Sequence, residues 1–579
     1  MKVILRFLKP HRGLCFLTIA LAFIDFLGAL IIPTYAAEML NIGTMEGADF
    51  SMLLSTCIKM VIAAAISGVA MIIGSYVCAD LTSKVGADMR KALYEKSMTL
   101  SVADFRNFGT ASVTTRTVSD ITNIQFALGS CFQMLFPVPF IFIVSLVFSF
   151  RLDRLLGLIL LGILAAISVF GGFVMFSTSP MFKKLQKKLD RMSKVLLENI
   201  TGVRVIRAFN KEKHEESRLN GEFQSYAKTA IKVNKRFAIL DSVSFCVVNI
   251  FVIVVYLLSG SRITAGYFEI GDITAIIEYA MLSLFFLMMA QMVILTLPRA
   301  IECCNRIGEI LDFSPTITNK TEKRVKETVN SKNVMSFQNV SFRFADADEY
   351  TLKKLNFDCR RGETTAIIGG TGSGKSTVAS LMMRFNEVTD GKILLDGVDI
   401  REMPQHQLRE HLSFVQQRAW LFSGSIAENL RYGNPNATNE DLWHALEIAQ
   451  AKDFVDALPD KLNSFVAQGG TNFSGGQRQR LSIARALVKK PELYIFDDSF
   501  SALDFKTDAA LRKALVPETK NAAVVIIAQR ISTILHADNI IVLYEGEPCG
   551  MGRHEELLEG CEVYREIYES QTKEADENE

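Results

Sequence analysis

The sequence predicts an α-helical membrane domain of six spans followed by an α/β domain. Six apolar runs, each close to the ~20 residues that cross a bilayer as a helix, occupy the first half of the chain. A polar segment follows, and beyond it a strand pattern, a glycine-rich turn and a helix pattern succeed one another. Of the 579 residues, 49% are hydrophobic, a high fraction for a soluble protein, so a membrane domain is the economical explanation.

The charge and the cysteines exclude two other classes of protein. The 63 basic and 62 acidic residues leave a net charge of +1, without the basic excess that nucleic-acid binding requires, so we expect no nucleic-acid partner. The ten cysteines show no CxxC or Cys/His spacing of the kind that holds zinc. We therefore expect them to be packing residues, because buried thiols behave as small hydrophobic groups.

The six apolar runs define the predicted membrane helices. They cover residues 14–36, 53–79, 129–150, 154–176, 243–260 and 273–297. The first run follows basic residues, as a secretion signal does, but it is too long for a signal core and further spans follow. We therefore expect it to be retained, preceded by a short amphipathic elbow helix along the membrane surface.

The distribution of charge predicts the orientation in the cell membrane. The loop over residues 37–52 carries no Lys or Arg, whereas residues 177–236 carry 15. By the positive-inside rule, both termini are expected in the cytoplasm. The two long inward connections have apolar positions at helical spacing, so the membrane helices should continue well into the cytoplasm.

Composition also sets the domain boundaries. The chain becomes polar after Pro298, residues 314–332 have the composition of an exposed linker, and the last residues are strongly acidic. We predict a transmembrane domain over residues 1–312, a linker over 313–333, an α/β domain over 334–570 and an acidic tail over 571–579.

The motif GGTGSGKS lies between the strand pattern TTAII and the helix pattern TVASLMMRF. This is the setting of a phosphate-binding loop, in which glycines let backbone amides surround phosphates at a helix N-terminus. Lys375 is expected to reach the β and γ phosphates and Ser376 to ligate magnesium. The expected ATP-binding residues of this loop are Gly369, Gly370, Thr371, Gly372, Ser373, Gly374, Lys375, Ser376 and Thr377.

A second motif narrows the class of phosphate-binding protein to which the chain is compared. The apolar strand ELYIFDD ends in Asp497, the position that holds magnesium in P-loop enzymes, and FSGGQ precedes it. With this order of motifs the chain resembles the ABC ATPases, whose signature is usually LSGGQ. Phe473 replaces the leucine, and the remaining signature residues match, namely Ser474, Gly475, Gly476 and Gln477. Ser474 can cap the following helix, with its hydroxyl and the helix dipole directed at an anion.

The resemblance implies further site residues and a partner. In the family, two such domains enclose two ATP molecules, and each signature acts on the ATP bound to the other subunit. Phe344 corresponds to the residue that stacks on adenine, Gln417 to the Q-loop glutamine and Asp504 to the D-loop aspartate. The implied cofactors are ATP and Mg²⁺, the metal being held by Ser376, Asp497 and Gln417.

The whole chain resembles the exporter-type half-transporters, which carry six spans and one ATPase domain on a single polypeptide. In that family, short helices at the tips of the inward loops rest on the ATPase domains. The candidate tips are residues 104–109 and 209–216, unless these are only solvated loops.

Two residues depart from the family pattern at the catalytic positions. Asp498 replaces the Glu that serves as general base, and Gln529 replaces the switch histidine. A base must lie within hydrogen-bond reach of its proton, and an amide cannot carry a proton. The chain thus resembles the impaired-site subunit of bacterial heterodimeric multidrug exporters. A partner subunit with the Glu and the His is expected.

Polar residues inside the predicted spans are candidates for substrate contact, because such groups are costly in lipid unless they are paired or hydrated. Asp25 has no partner visible in the sequence, so it either meets a cationic or polar substrate or bonds to a neighbouring helix. Lys59 and Glu278 lie at similar depth and could pair with each other. The candidate cavity residues are Asp25, Glu278, Asn249 and Gln291.

Export of lipophilic or amphipathic substrates by alternating access is the expected function, with membrane lipids and a small amphipathic substrate as further partners. Multidrug export rests mainly on the resemblance, although 40 Phe and 21 Met would suit an adaptable apolar cavity. A lipid flippase or peptide exporter remains an alternative. An ATP-gated channel or regulator on the same scaffold is an alternative of another class.

Overall fold

The structure is a computed structural model that describes residues 2–45, 49–264, 269–320, 324–325 and 332–576. The chain divides into two compact units. The helical unit comprises Met1–Thr99 and Phe108–Phe313, and the sheet unit comprises Leu100–Asn107 and Ser314–Glu579. The division at residue 313 is close to the predicted end of the transmembrane domain. Of the predicted linker, residues 321–323 and 326–331 lie outside the described residues.

The helical unit has six helices long and apolar enough to cross a membrane among the described residues, which confirms the predicted fold class. They span Lys2–Thr44, Phe50–Thr99, Thr110–Leu152, Arg154–Thr201, Glu212–Gly260 and Ile270–Leu311. The first contains the predicted elbow, a short helix over Lys2–Leu8 that a 3₁₀ turn joins to Arg12–Thr44. The third includes two π-helical turns, Arg116–Asp120 and Cys131–Leu135, and the fifth continues to Thr264.

The length of these helices confirms that they extend beyond a bilayer. The second helix has 50 residues, which at 1.5 Å per residue gives about 75 Å, against a hydrocarbon core of about 30 Å. A short helix over Val102–Phe108 forms the first candidate tip. At the second tip, the short helix is Val203–Ala208, just before the predicted segment, and the fifth helix begins at Glu212.

Apolar side chains on the fourth and fifth helices form one core of the helical unit. Leu156, Leu160 and Leu164 recur every fourth residue, so they share one face of the fourth helix. They pack with Phe251 and Val255 of the fifth helix, and all five side chains are buried. Because of this i, i+4 spacing, apolar side chains pack between the two long helices over several turns and stabilise the pair.

The proposed pairing of Lys59 with Glu278 is wrong. The ammonium Nζ of Lys59 lies 3.8 Å from Oε1 of Glu38, and Glu278 is exposed. Sequence position gives the depth of a residue along a helix but not the neighbour that it faces, and Glu38 lies close to the same end of the spans as Glu278.

The sheet unit is built on a six-stranded sheet. The described part of the unit has twelve strands, numbered in chain order: Asn333–Phe342 (β1), Leu352–Arg360 (β2), Thr364–Gly369 (β3), Asp390–Leu395 (β4), Val398–Asp399 (β5), Leu412–Val415 (β6), Gly424–Ser425 (β7), Phe465–Val466 (β8), Leu493–Asp497 (β9), Ala523–Ile527 (β10), Asn539–Tyr544 (β11) and Glu547–Gly552 (β12). The main sheet has the order β12-β11-β3-β10-β9-β6. All its pairs are parallel except β11 with β12.

Two smaller sheets and a set of helices complete the sheet unit. The smaller sheets are antiparallel, with orders β2-β1-β4-β5 and β7-β8. Besides Val102–Phe108, the α-helices are Lys375–Met382, Gln405–Glu410, Ile426–Arg431, Asn439–Ile448, Lys452–Asp456, Gly475–Val488, Phe505–Glu518, His554–Gly560 and Glu562–Asp576. The last helix continues past residue 571, where the acidic tail was predicted to start, and residues 577–579 lie outside the described residues.

The short helix Val102–Phe108 is held in the sheet unit by a buried carboxylate. Asp104 is fully buried and accepts hydrogen bonds from the backbone N–H of Ser101 at 3.0 Å and of Thr316 at 3.2 Å. The Thr316 hydroxyl donates a further bond at 3.0 Å. Burial alone would raise the pKa of Asp104, but these hydrogen bonds outweigh it and hold the pKa below its usual value.

Candidate functional site

Four neighbouring strands of the main sheet end at the predicted site. The phosphate-binding loop follows β3, and Gln529 follows β10. Asp497 is the last residue of β9, Asp498 comes directly after it, and Gln417 follows β6. The register places Ile527 of β10 opposite both Ile367 of β3 and Asp497 of β9. Because parallel strands bring their carboxyl ends to one edge, residues far apart in the chain meet there.

The loop after β3 adopts the conformation that its glycines permit. Gly372 and Gly374 have φ angles of 85° and 95°, in the left-handed region that side-chain-bearing residues avoid, and Gly374 caps the helix Lys375–Met382. A β-carbon on Gly374 would also lie 2.6 Å from the Leu352 side chain. The helix thus starts directly at the loop, with its free N–H groups at the loop's open side.

Lys375 and Ser376 connect the loop to its surroundings. The Lys375 ammonium donates to the carbonyls of Gly369 and Gly370 at 2.7 and 2.6 Å, and the Ser376 hydroxyl donates to Oδ1 of Asp497 at 2.9 Å. Burial lowers the pKa of Lys375, and the charges of Asp498 and Asp497 oppose that shift. Burial likewise raises the pKa of Asp497, opposed by the bond from Ser376.

Asp498 stands beside Gln417. Its carboxylate Oδ2 accepts a hydrogen bond from Nε2 of Gln417 at 2.9 Å, and its backbone N–H donates to the Ile527 carbonyl at 2.8 Å. Its φ angle of 47° is in the left-handed region, which Asp tolerates better than most residues. The backbone and the side chain of Asp498 are therefore both fixed.

Gln529 has an exposed side chain, two residues after the end of β10. Its backbone carbonyl accepts a hydrogen bond from Nε2 of Gln571 at 2.7 Å, and Oε1 of the same amide accepts from the Ile531 N–H at 2.8 Å. Gln571 was missed because it fell in the predicted tail. Tyr564, Ile567 and Tyr568 pack on the core, and their i, i+3, i+4 spacing with Gln571 at i+7 could have revealed this helix face.

The signature segment begins the helix Gly475–Val488. The Ser474 hydroxyl accepts from the Gln477 N–H at 3.2 Å, and Oε1 of Gln477 accepts from the Ser474 N–H at 2.9 Å, so the two residues form a capping box. A β-carbon on Gly475 would meet nothing within 4 Å, which leaves the helix start open. Phe473 is buried, with its ring 6.3 Å from that of Phe454, so a core contact accommodates the larger residue.

The two remaining predicted site residues lie at strand and helix ends. Phe344 follows β1 with its ring partly buried, 4.8 Å from that of Phe342 in an edge-on arrangement. Asp504 caps the helix Phe505–Glu518 by accepting from the Thr507 N–H at 2.9 Å. This bond lowers the pKa of Asp504.

The residues around the phosphate-binding loop fit a nucleoside triphosphate and a divalent cation. The Ser373 hydroxyl is buried and has no hydrogen-bond partner among the described residues. Buried polar groups are normally hydrogen-bonded, so this hydroxyl is suited to bind a ligand. A β-carbon on Gly370 or Gly372 would meet nothing within 4 Å, so space adjoins the loop. The hydroxyl and carboxylate oxygens of Ser376 and Asp497 are the hard ligands that Mg²⁺ prefers.

The four candidate cavity residues have separate surroundings. Asp25 Oδ1 accepts from the Ser67 hydroxyl at 2.7 Å, and Asn249 donates to the Phe245 carbonyl of its own helix at 2.9 Å. Gln291 is buried, and a β-carbon on Gly171 would lie 2.8 Å from its amide nitrogen. Glu278 is exposed, and no described hydrogen bond joins any two of the four.

Comparisons with known proteins agree with this architecture. The model of the ABC transporter transmembrane region matches residues 15–288, and the ABC transporter model matches residues 352–501. An uncharacterized ABC transporter ATP-binding protein of Mycobacterium tuberculosis is 33% identical over 98% of this chain and 97% of its own.

Two relatives have more specific names. An ATP-dependent lipid A-core flippase of Mannheimia succiniciproducens is 30% identical over 90% of this chain and 89% of its own. An ATP-binding/permease protein of Bacillus subtilis, provisionally named for multidrug export, is 28% identical over 98% of both chains.

One solved structure covers nearly the whole fold. A bacterial Atm1-family ABC exporter with ATP bound matches with a TM-score of 0.81 at 23% identity, over 97% of this chain and 98% of that one. A multi-pass membrane domain and an ATP-binding domain share one polypeptide, with the fold of the Atm1-family ABC exporter. The chain therefore belongs to the ABC transporters.

Proposed function

We propose that this chain is the impaired-site half of a heterodimeric exporter that uses ATP to move lipophilic or amphipathic substrates across the cytoplasmic membrane. The observation that carries the proposal is the pair Asp498 and Gln529 just after β9 and β10, in a chain whose capping box at Ser474 is intact. The chain would lack a catalytic base and a switch residue that support hydrolysis at its own site. It would supply an intact signature segment to the site of its partner.

In this proposal the loop after β3 binds the phosphates of ATP and Phe344 stacks on the adenine. Ser376, Asp497 and Gln417 would hold Mg²⁺, which when bound neutralises charge on the β and γ phosphates. Lys375 would exchange its bonds to the Gly369 and Gly370 carbonyls for bonds to phosphate oxygens. Charge-assisted bonds of this kind are stronger than bonds to neutral carbonyls, which favours the exchange.

The length of the Asp498 side chain would make hydrolysis at this site slow. Asp is shorter than Glu by one methylene, about 1.5 Å, and the Gln417 amide and the fixed backbone hold Asp498 in place. A water molecule placed for a Glu would therefore lie beyond its reach. Gln529 could contact a phosphate oxygen but could not carry a proton.

The partner subunit would complete the transport cycle. Phe473, Ser474, Gly475, Gly476 and Gln477 would act on ATP bound by the partner, and Asp504 would line the same interface. The partner would supply the Glu and the His of the fast site. ATP binding would close the two domains and turn the membrane helices outward, and hydrolysis would reset them. Both termini would lie in the cytoplasm, as the basic inward connections favour.

The substrate class rests on the resemblance and on the names of two relatives. One is named for multidrug export and the other is a lipid A-core flippase. A lipid is amphipathic, and the resemblance to multidrug exporters implies lipophilic drugs, so we expect a lipophilic or amphipathic cargo. A peptide cargo is the remaining exporter alternative.

Transport measurements test this function. In inside-out vesicles that contain the complex, we expect a lipophilic dye to accumulate against its gradient only with hydrolysable ATP. A channel would instead pass ions down their gradient without coupled turnover, and that result would contradict the proposal. Lipid movement between leaflets without dye accumulation would favour the flippase alternative.

Asp25 provides a test of the proposed cavity. Because the Asp25 carboxylate would attract a cation in the proposed cavity, Asp25→Ala should reduce transport of cationic substrates several-fold but leave neutral ones unchanged. Uptake of matched cationic and neutral dyes measures this difference. The carboxylate also accepts a hydrogen bond from Ser67. Ser67→Ala is the control, since it removes the same hydrogen bond and keeps the charge. If Asp25→Ala leaves all cationic transport unchanged, or Ser67→Ala matches its effect, Asp25 is a helix-packing residue.

A further inference from the structure

The amide of Gln571 forms two hydrogen bonds with the segment Ala528–Ile531, which we call the switch loop. The two bonded backbone groups lie on either side of Arg530. The Gln571 Nε2 group donates to the Gln529 carbonyl at 2.7 Å and its Oε1 accepts from the Ile531 N–H at 2.8 Å. One carbonyl and one N–H two residues apart are the groups that a neighbouring strand would pair with. The side chain thus takes the place of a strand partner just beyond the end of β10.

Other contacts fix the same loop from different elements. The Ala528 N–H donates to the Ile367 carbonyl of β3 at 3.1 Å. The Arg530 guanidinium lies 5.3 Å from the ring centroid of Phe505, the first residue after Asp504. The loop backbone is therefore held on both sides of Gln529, while the Gln529 side chain stays exposed.

The helix that carries Gln571 is anchored independently of this amide. Tyr564 is fully buried, and its hydroxyl lies 2.7 Å from Nδ1 of His554. The Tyr568 ring lies 5.4 Å from the His554 ring. Truncation of Gln571 should therefore leave Glu562–Asp576 in place and remove only the two hydrogen bonds to the loop.

We propose that Gln571 is a positioning residue that holds the switch loop so that the Gln529 side chain can contact the terminal phosphate of ATP bound by this chain. The proposal rests on the role given to Gln529 under the proposed function. A hydrogen bond to a phosphate oxygen is strong only when donor and acceptor are aligned, so a loose loop would weaken it. ADP lacks the terminal phosphate, and its binding should not depend on Gln571.

Nucleotide affinity tests this proposal without requiring hydrolysis. The full-length chain, in lipid nanodiscs with Mg²⁺, is titrated with the β,γ-imido analogue of ATP and with ADP. We expect Gln571→Ala to lower the affinity ratio of the analogue to ADP about tenfold to a hundredfold, the effect of losing a hydrogen bond to a charged group. Gln529→Ala should lower the ratio by a similar factor, and the double variant should show no further loss.

Thr572→Ala is the matched control, because the Thr572 hydroxyl is exposed and donates only to the Tyr568 carbonyl of its own helix in the described structure. It should leave the ratio unchanged. The proposal is overturned if Gln571→Ala keeps the ratio while Gln529→Ala lowers it, in which case the role of Gln529 survives. It is also overturned if Gln571→Ala weakens both nucleotides equally, which would indicate a structural role. If Gln529→Ala itself keeps the ratio, the phosphate role of Gln529 fails, and this proposal fails with it.

Discussion

Replacing Ser474 by Ala is expected to reduce ATP hydrolysis and transport by the complete complex about 100-fold. The loss of one preorganised donor to a reacting phosphate has an effect of this size. In the proposed heterodimer, the Ser474 segment acts on the fast site, so the whole cycle depends on it. Lys375→Ala, which disables the slow site of this chain, should cost much less. Steady-state ATPase measurements on the two complexes give the comparison.

Ser425→Ala provides the matched control for this experiment. Ser425 caps the helix Ile426–Arg431 through the same type of capping box with Glu428, so its loss removes an equivalent stabilising contact, worth about 1 kcal/mol. If Ser425→Ala lowers activity as much as Ser474→Ala, the effect is structural. If Lys375→Ala abolishes hydrolysis and Ser474→Ala does not, the assignment of fast and slow sites is reversed.

The double variant Asp498→Glu with Gln529→His is expected to raise hydrolysis at the site of this chain by tenfold or more. A positioned general base contributes about 100-fold to 10,000-fold, and the second change restores a proton-carrying switch residue. The gain is measured in a complex whose partner site has been inactivated, so that turnover reports only on this site.

The variant Asp498→Asn with Gln529→Ala is the control, since neither residue can then act as a base, and it should show no gain. Glu at position 498 must adopt the left-handed backbone of Asp498, at a cost of about 1 to 2 kcal/mol. A thermal melt shows whether the reactivated variant is folded. If the variant is folded but its turnover does not increase, Asp498 and Gln529 are not the cause of slow hydrolysis at this site.

The nucleotide site could be predicted from the sequence because its motifs are local. GGTGSGKS lies between one strand and one helix, and Ser474 caps its helix through Gln477, three residues away. The meeting of Asp497 with Ser376 then follows from the parallel order of the strands, even though 121 residues separate them. Such contacts follow from fold class once the motifs have identified it.

Other contacts between side chains on separate elements could not be predicted. Lys59 approaches Glu38 and not Glu278, because the rotation of each helix about its axis depends on packing with its neighbours. Asp104 bonds to Thr316, 212 residues away, for which the sequence offers no signal. The continuation of the C-terminal helix past residue 571 was missed for a different reason. Its acidic composition resembles that of a disordered tail, while the apolar stripe through Tyr564 and Tyr568 stabilises it.

The turnover of the purified chain alone, compared with that of the complex isolated with its partner, tests the central claim most directly. We expect the chain alone to hydrolyse ATP far more slowly than ~1 s⁻¹, the lower end of typical kcat values. The complex should hydrolyse ATP at least tenfold faster than the chain alone. A chain that assembles with itself, hydrolyses ATP at several per second and loses that activity with Asp498→Asn would contradict an impaired site and remove the reason for a dissimilar partner.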